Sequence, residues 1–163
     1  MPYVRGPLTN GKKEWTQMAD NYLQFSEQIL DLTQKEYAWL LRVLETVTDD
    51  MQPDELKSFS AELGLKPSDF EWGWPGFNCE FEDEGKTLWI YAEEYTNVGN
   101  LGAFLHSFMK ATGRKGYIAV TWAETCSKPR VGEFGGGILL ATAKKYVVES
   151  SWSRLEKLLE EHL

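Results

Sequence analysis

The sequence predicts an α+β fold: N-terminal helices followed by a β-β-α-β-β-α unit, with a four-stranded antiparallel sheet and helices packed on one face. Three observations lead there. Apolar residues recur at helical spacing as far as Leu63. After Phe77, several short runs alternate apolar with polar residues, the period of a half-buried strand. Short turn-forming stretches join those runs, whereas a parallel sheet requires long crossovers.

Residues 1–12 hold two prolines and two glycines and read as a loose arm. Trp15, Met18, Tyr22, Phe25 and Ile29 keep a 3-4-3-4 spacing, which predicts a first helix from Glu14 onward. Thr33 and Glu36 stand three apart as a capping box at the start of a second helix, with Leu32 at the staple position. Its inward stripe is Tyr37, Leu40, Leu41, Leu44 and Val47. Pro53 opens a third, short helix and Gly64 closes it. "LKPSDFEWGWPG" then reads as a hinge between a helical segment, 1–66, and a sheet domain, 67–163, the two forming one compact unit.

In the second half, Phe77, Cys79 and Phe81 alternate with Asn78, Glu80 and Glu82 along a strand. "DEGK" is a hairpin turn, and the returning strand puts Leu88, Ile90 and Ala92 opposite Trp89 and Tyr91. A helix follows, with Thr96 or Asn97 as cap, Val98, Leu101, Leu105, Phe108 and Thr112 inward, and Gly113 as terminator. "YIAVTWAET" and "GILLATAKKYVV" read as the third and fourth strands. Ser150 or Ser151 caps a terminal helix with Trp152, Leu155, Leu158 and Leu159 inward.

Composition narrows function. The 163 residues include seven Trp, seven Tyr and eight Phe, an aromatic load that serves cores and interaction surfaces alike. The net charge of −8 argues against a dedicated nucleic-acid binder. The charge is unevenly spread: residues 71–100 hold 7 acidic and 1 basic side chains, and residues 101–147 hold 2 acidic and 7 basic. No stretch approaches the ~20 apolar residues of a membrane span. "MPYVRGPLTNGKKEW" lacks the apolar run of a secretory signal, so a cytoplasmic location is expected. Two isolated cysteines, Cys79 and Cys126, and two histidines make neither a disulfide framework nor a zinc set. No cofactor and no metal are expected.

The chemistry-bearing stretch is "TCSKPRVGEFGGG", Thr125 to Gly137. A phosphate loop or dinucleotide fingerprint needs a helix after the glycines, and here a strand follows. Three readings stay open. The first is structural: the glycines allow a tight strand connection or let another side chain lie flat on the backbone. The second is a binding rim made of Cys126, Ser127, Lys128, Arg130 and Glu133, with the Arg130 fork suited to a carboxylate or phosphate. The third makes Cys126 a nucleophile, the weakest candidate because no histidine is set beside it in the sequence. Trp72 and Trp74, in the hinge, either cover a core edge or face a partner. Glu80, Glu82, Glu84, Glu93 and Glu94 read as a solvated strand face, with carboxylate chemistry or pairing with the basic segment as alternatives.

Leu32–Leu40, "LTQKEYAWL", together with "LWIYAEE" from Leu88 and the Thr125–Gly137 block, resembles a family of small bacterial, phage and mobile-element proteins of unknown function. The resemblance implies that the Thr125–Gly137 block is a family hallmark, and it implies no activity. The leading expectation is a non-catalytic interaction protein that docks a protein partner or anionic ligand at this block, such as a phage or mobile-element modulator of a host protein. The alternatives are a small enzyme using Cys126 or the strand carboxylates, with Arg130 binding an anionic substrate, and a self-associating structural protein in the form of a homodimer.

Overall fold

The computed structural model describes residues 19–46, 51–70 and 74–162, with the side chains of Asp69 and Phe70 outside the description. Six strands, all paired antiparallel, form one sheet: β1 (Asn21–Ile29), β2 (Asn78–Glu82), β3 (Thr87–Ala92), β4 (Ile118–Cys126), β5 (Gly135–Ala141) and β6 (Tyr146–Ser150). Their spatial order is β2-β3-β1-β4-β5-β6. Four α-helices accompany the sheet: α1 (Gln34–Thr46), α2 (Pro53–Leu63), α3 (Val98–Thr112) and α4 (Ser151–His162). The α+β class and the antiparallel sheet therefore hold, and the count of four strands does not.

The first correction concerns Asn21–Ile29, predicted as helix and found as a strand beside the sheet centre. Phe25 and Ile29 stand four residues apart, a separation that fits a helical face and a strand face equally. Both are buried, and Leu23 packs against the same core, so the period of two is the one realised. Pairing decides it. Phe25 lies opposite Ala92 and Ile29 opposite Leu88 on one side, and Asn21 lies opposite Cys126 on the other. Trp15 and Met18 of that predicted helix fall outside the described residues.

The second correction splits the predicted fourth strand into the hairpin β5–β6. Thr142 makes the turn without glycine or proline. Its N–H and hydroxyl each donate to the Lys145 carbonyl at 2.9 Å, and its hydroxyl accepts from the N–H groups of Lys144 and Lys145 at 3.2 Å. A threonine side chain imitating a backbone turn leaves a weak compositional trace.

Local signals elsewhere form as their residues predict. The Thr33 N–H donates to Glu36 Oε2 at 2.7 Å and the Glu36 N–H to Thr33 Oγ1 at 3.2 Å, closing the capping box of α1. Pro53 begins α2, and Gly64 ends it at φ 68°. The Asn97 side chain accepts from the Asn100 N–H at 3.0 Å at the start of α3.

One sheet face builds the core. Phe25, Ile29, Leu88, Ile90, Val120, Trp122 and Leu139 meet Leu40 and Val43 of α1, Phe59 and Leu63 of α2, and Phe104, Leu105 and Phe108 of α3. The stripe of α1 is rotated from its prediction: Glu36, Leu40 and Val43 are buried, and Val47 lies outside the described residues. Trp39, Trp74, Phe77, Phe104 and Phe108 are linked by ring contacts of 5.3–6.0 Å between centroids, an aromatic cluster inside the core. On the opposite sheet face Gln24, Ser26, Gln28, Thr121, Ile138 and Leu140 are exposed.

The third correction is α4. Trp152, Leu155, Leu158 and Leu159, predicted inward, are 44%, 44%, 37% and 47% exposed, and no residue of the helix is buried. Its amphipathic spacing does not bury a stripe: every residue of the helix except Ser153 is exposed, charged and apolar alike.

Candidate functional site

The Thr125–Gly137 block spans the end of β4, a connection from Ser127 to Phe134, and the start of β5. Its two ends are tied to the start of β1. The Ser127 hydroxyl accepts from the Asp20 N–H, and the Ser127 N–H donates to the Asp20 carbonyl, both at 2.9 Å. At the far end the Asn21 amide donates to Glu133 Oε2. Cys126, half-buried, lies directly opposite Asn21 in the register. Ser127 and Glu133, predicted as binding residues, thus hold the connection in place.

The display falls to other residues. Val131 is fully exposed, Phe134 is 48% exposed, and Arg130 is exposed and outside any ion pair found among the described residues. Lys128 is half-buried. Gly132, at φ +83°, turns the chain between Val131 and Glu133. Val131 and Phe134 stand inside the quoted block, yet apolar residues in a glycine-rich loop read as core until their exposure is seen.

The three glycines have a packing reason. Gly137 lies opposite Trp122 in the register, and a Cβ there would stand 2.3 Å from the indole ring. The ring packs against this backbone, with Nε1 donating to Glu124 Oε1 at 3.0 Å. A Cβ on Gly136 would stand 2.4 Å from the Trp122 carbonyl, and one on Gly135 would stand 2.9 Å from Ser151 Oγ. The structural reading therefore accounts for Gly135–Gly137.

Two concavities flank the block. One, of about 230 Å³, is lined by Asn21, Tyr22, Thr125 and Gly132 and by the carboxylates of Glu94, Glu124 and Glu133. Three carboxylates make poor walls for an anion, which weakens the cradle reading at this spot. The other, of about 540 Å³, is lined by the Gly135–Gly137 backbone, Ile138, Glu149 and Arg154 of α4. Arg154 was missed in the sequence because nothing local to it points back to β5.

The remaining candidates lie elsewhere. Trp74 is half-buried, donates its Nε1–H to the Val43 carbonyl at 3.2 Å, and packs edge-on against Phe59 and Phe104. It covers the core, away from the β4–β5 connection, and Trp72 lies outside the described residues. The His106 ring sits 2.8 Å from the Thr142 carbonyl and lines a separate cleft of about 420 Å³ between α2, α3 and β6. His162 is in the last turn of α4. Burial, then the Glu80 charge, push the Cys79 thiol above its ordinary pKa. Glu80 accepts from the Tyr91 hydroxyl and Glu82 from the Gln28 amide, so these carboxylates serve the open sheet face. None of the three ion pairs found among the described residues joins the acidic hairpin to the basic segment. Among those residues no group of three or more His, Cys, Asp or Glu is placed to hold a metal ion, and no helix is long and apolar enough to cross a membrane.

Compared with protein-family models, curated proteins and solved structures, the chain matches none of them.

Proposed function

We propose that this chain is a non-catalytic interaction protein that docks a protein partner at the β4–β5 connection. One observation carries the reading: a connection tied down at both ends by Asp20 and Asn21 holds Arg130, Val131 and Phe134 out to solvent. An exposed aromatic residue and an exposed arginine on a pre-ordered loop are the residue types that anchor interfaces. Pre-ordering reduces the entropy lost on binding. The partner supplies an apolar pocket for Phe134 and a carboxylate for Arg130. The resemblance of the Thr125–Gly137 block to phage and mobile-element proteins favours a host protein in that role.

The test is capture from bacterial lysate on the immobilised chain, followed by calorimetry with the purified captured protein. The double variant Arg130→Ala with Phe134→Ser should weaken binding about a hundredfold, since two anchors at more than ~1 kcal/mol each are removed. Both side chains are exposed, so the thermal melt should stay close to that of the unaltered chain. Capture unchanged by the double variant overturns the assignment.

A further inference from the structure

The sheet has two outer edges, β2 and β6. β2 carries Glu80 and Glu82, charged side chains of the kind that blunt an edge. β6 begins Tyr-Val-Val, and Tyr146, Val147 and Val148 are 39%, 45% and 41% exposed. Only part of its outer backbone is unbonded. The Thr142 N–H donates to the Lys145 carbonyl across the turn, so in the register of β5 and β6 the bonded pairs are Leu140–Val147 and Ile138–Glu149. Tyr146, Val148 and Ser150 alternate with these and turn their N–H and C=O groups away from β5. Those of Ser150 are taken within the chain: its N–H donates to Ser153 Oγ at 3.0 Å, and its carbonyl accepts from the Ser153 hydroxyl at 2.9 Å. No bond to those of Tyr146 or Val148 is found among the described residues.

We infer that β6 pairs antiparallel with β6 of a second copy, about a two-fold axis at Val147. Backbone bonding selects the register. With Tyr146 opposite Val148 of the second copy, every outward N–H and C=O of Tyr146 and Val148 gains a partner in both chains. A shift by one residue sets these groups against groups turned toward β5. A shift by two sets them against Ser150, already bonded to Ser153, or against Lys144, whose N–H donates to the Thr142 hydroxyl. The same short deficit on each copy thus closes on itself, as a two-fold interface requires. Charge agrees with this register. Lys145 and Glu149 stand two residues either side of Val147 on one face, so each Lys145 lies opposite Glu149 of the other copy. Glu149 also meets Lys157 of its own chain at 3.6 Å and shares a concavity with Arg154, so the charges set register and add little strength. The joined sheet leaves only the two acidic β2 edges open, whereas a lone foreign strand would bring a bare edge of its own.

Sedimentation velocity of the full chain from micromolar to millimolar concentration should show a reversible monomer–dimer equilibrium, weak because the seam is short. Amide exchange followed by NMR locates the seam. Protection at Tyr146 and Val148 should rise with concentration, and protection at Val147 and Glu149, which bond to β5, should change less. Val148→Pro removes an N–H that β5 does not use, so it should abolish the dimer while the melting temperature stays close to that of the unaltered chain. Lys145→Glu and Glu149→Lys should each raise the dissociation constant about tenfold. An equimolar mixture of these two variants should pair as tightly as the unaltered chain, because every junction again joins opposite charges. A chain monomeric throughout overturns the inference and leaves the edge to a foreign strand. A dimer whose Tyr146 and Val148 amides gain no protection, or a mixture that pairs no better than its components, overturns it as well. The double variant Arg130→Ala with Phe134→Ser should leave the equilibrium unchanged, so this inference and the proposed docking site fail separately.

Discussion

At the scale of single residues, Gly137 shows how the Thr125–Gly137 block is built into the core. Trp122 is 7% exposed, and its ring is fixed by the bond from Nε1 to Glu124, so it has no room to move aside. A methyl group at Gly137 meets the ring at 2.3 Å and the Glu149 carbonyl at 2.5 Å, a clash from both sides. Gly137→Ala should destabilise the protein by about 1–3 kcal/mol, the cost of forcing volume into a packed site. Urea unfolding followed by tryptophan fluorescence checks it through a lowered midpoint with an unchanged slope. A midpoint equal to that of the unaltered chain would show that the indole does not rest on this backbone. The block was visible in the sequence by composition alone. Its sorting into residues that hold, such as Ser127 and Glu133, and residues that are displayed, such as Val131 and Phe134, was not. The partners that decide it, Asp20 and Asn21, are more than a hundred positions away.

At the scale of elements, what was legible depended on how far away the deciding partner stands. The capping box of α1, the proline of α2 and the caps of α3 use partners within a few residues, and each could be read directly. β1 could not, because Phe25 and Ile29 satisfy two periods and the choice belongs to β3 and β4. α4 could be read as amphipathic but not oriented, since a stripe does not say what it faces. The start of α1 permits a quantitative test. Burial by itself raises the Glu36 pKa, but bonds from the Thr33 N–H and hydroxyl and the Arg114 guanidinium, 3.1 Å away, more than offset it. The carboxyl is therefore held below its ordinary value. A depressed folded-state pKa adds stability above the ordinary carboxylate pKa, and that stability is lost as pH falls through the folded value. Glu36→Gln should cost about 1.5–3 kcal/mol at neutral pH, the range for hydrogen bonds to a charged group. The gap from the unaltered chain should narrow as both are titrated into acid. Urea midpoints across the pH series measure it, and a gap constant with pH would contradict the linkage.

At the scale of the whole molecule, β1 ties the first half of the chain to the second. It lies between the acidic hairpin β2–β3 and the β4–β5–β6 sheet of the basic segment, hydrogen-bonded to both β3 and β4. The core likewise mixes Leu40, Val43 and Leu63 from the first half with Phe104, Val120 and Leu139 from the second. Removing either half leaves the other with an unpaired strand edge and an uncovered apolar face, both costly in water. The halves should therefore unfold together. Far-UV circular dichroism and tryptophan fluorescence should trace one coincident transition in urea, as two-state unfolding requires. Amide exchange should then grade the molecule by burial. β1, β3 and β4 lie inside the sheet and should open only with global unfolding. α4 has no buried residue and should exchange by local opening at far lower free energy. Two separated transitions, with the helices melting before the sheet, would show that β1 does not couple the halves.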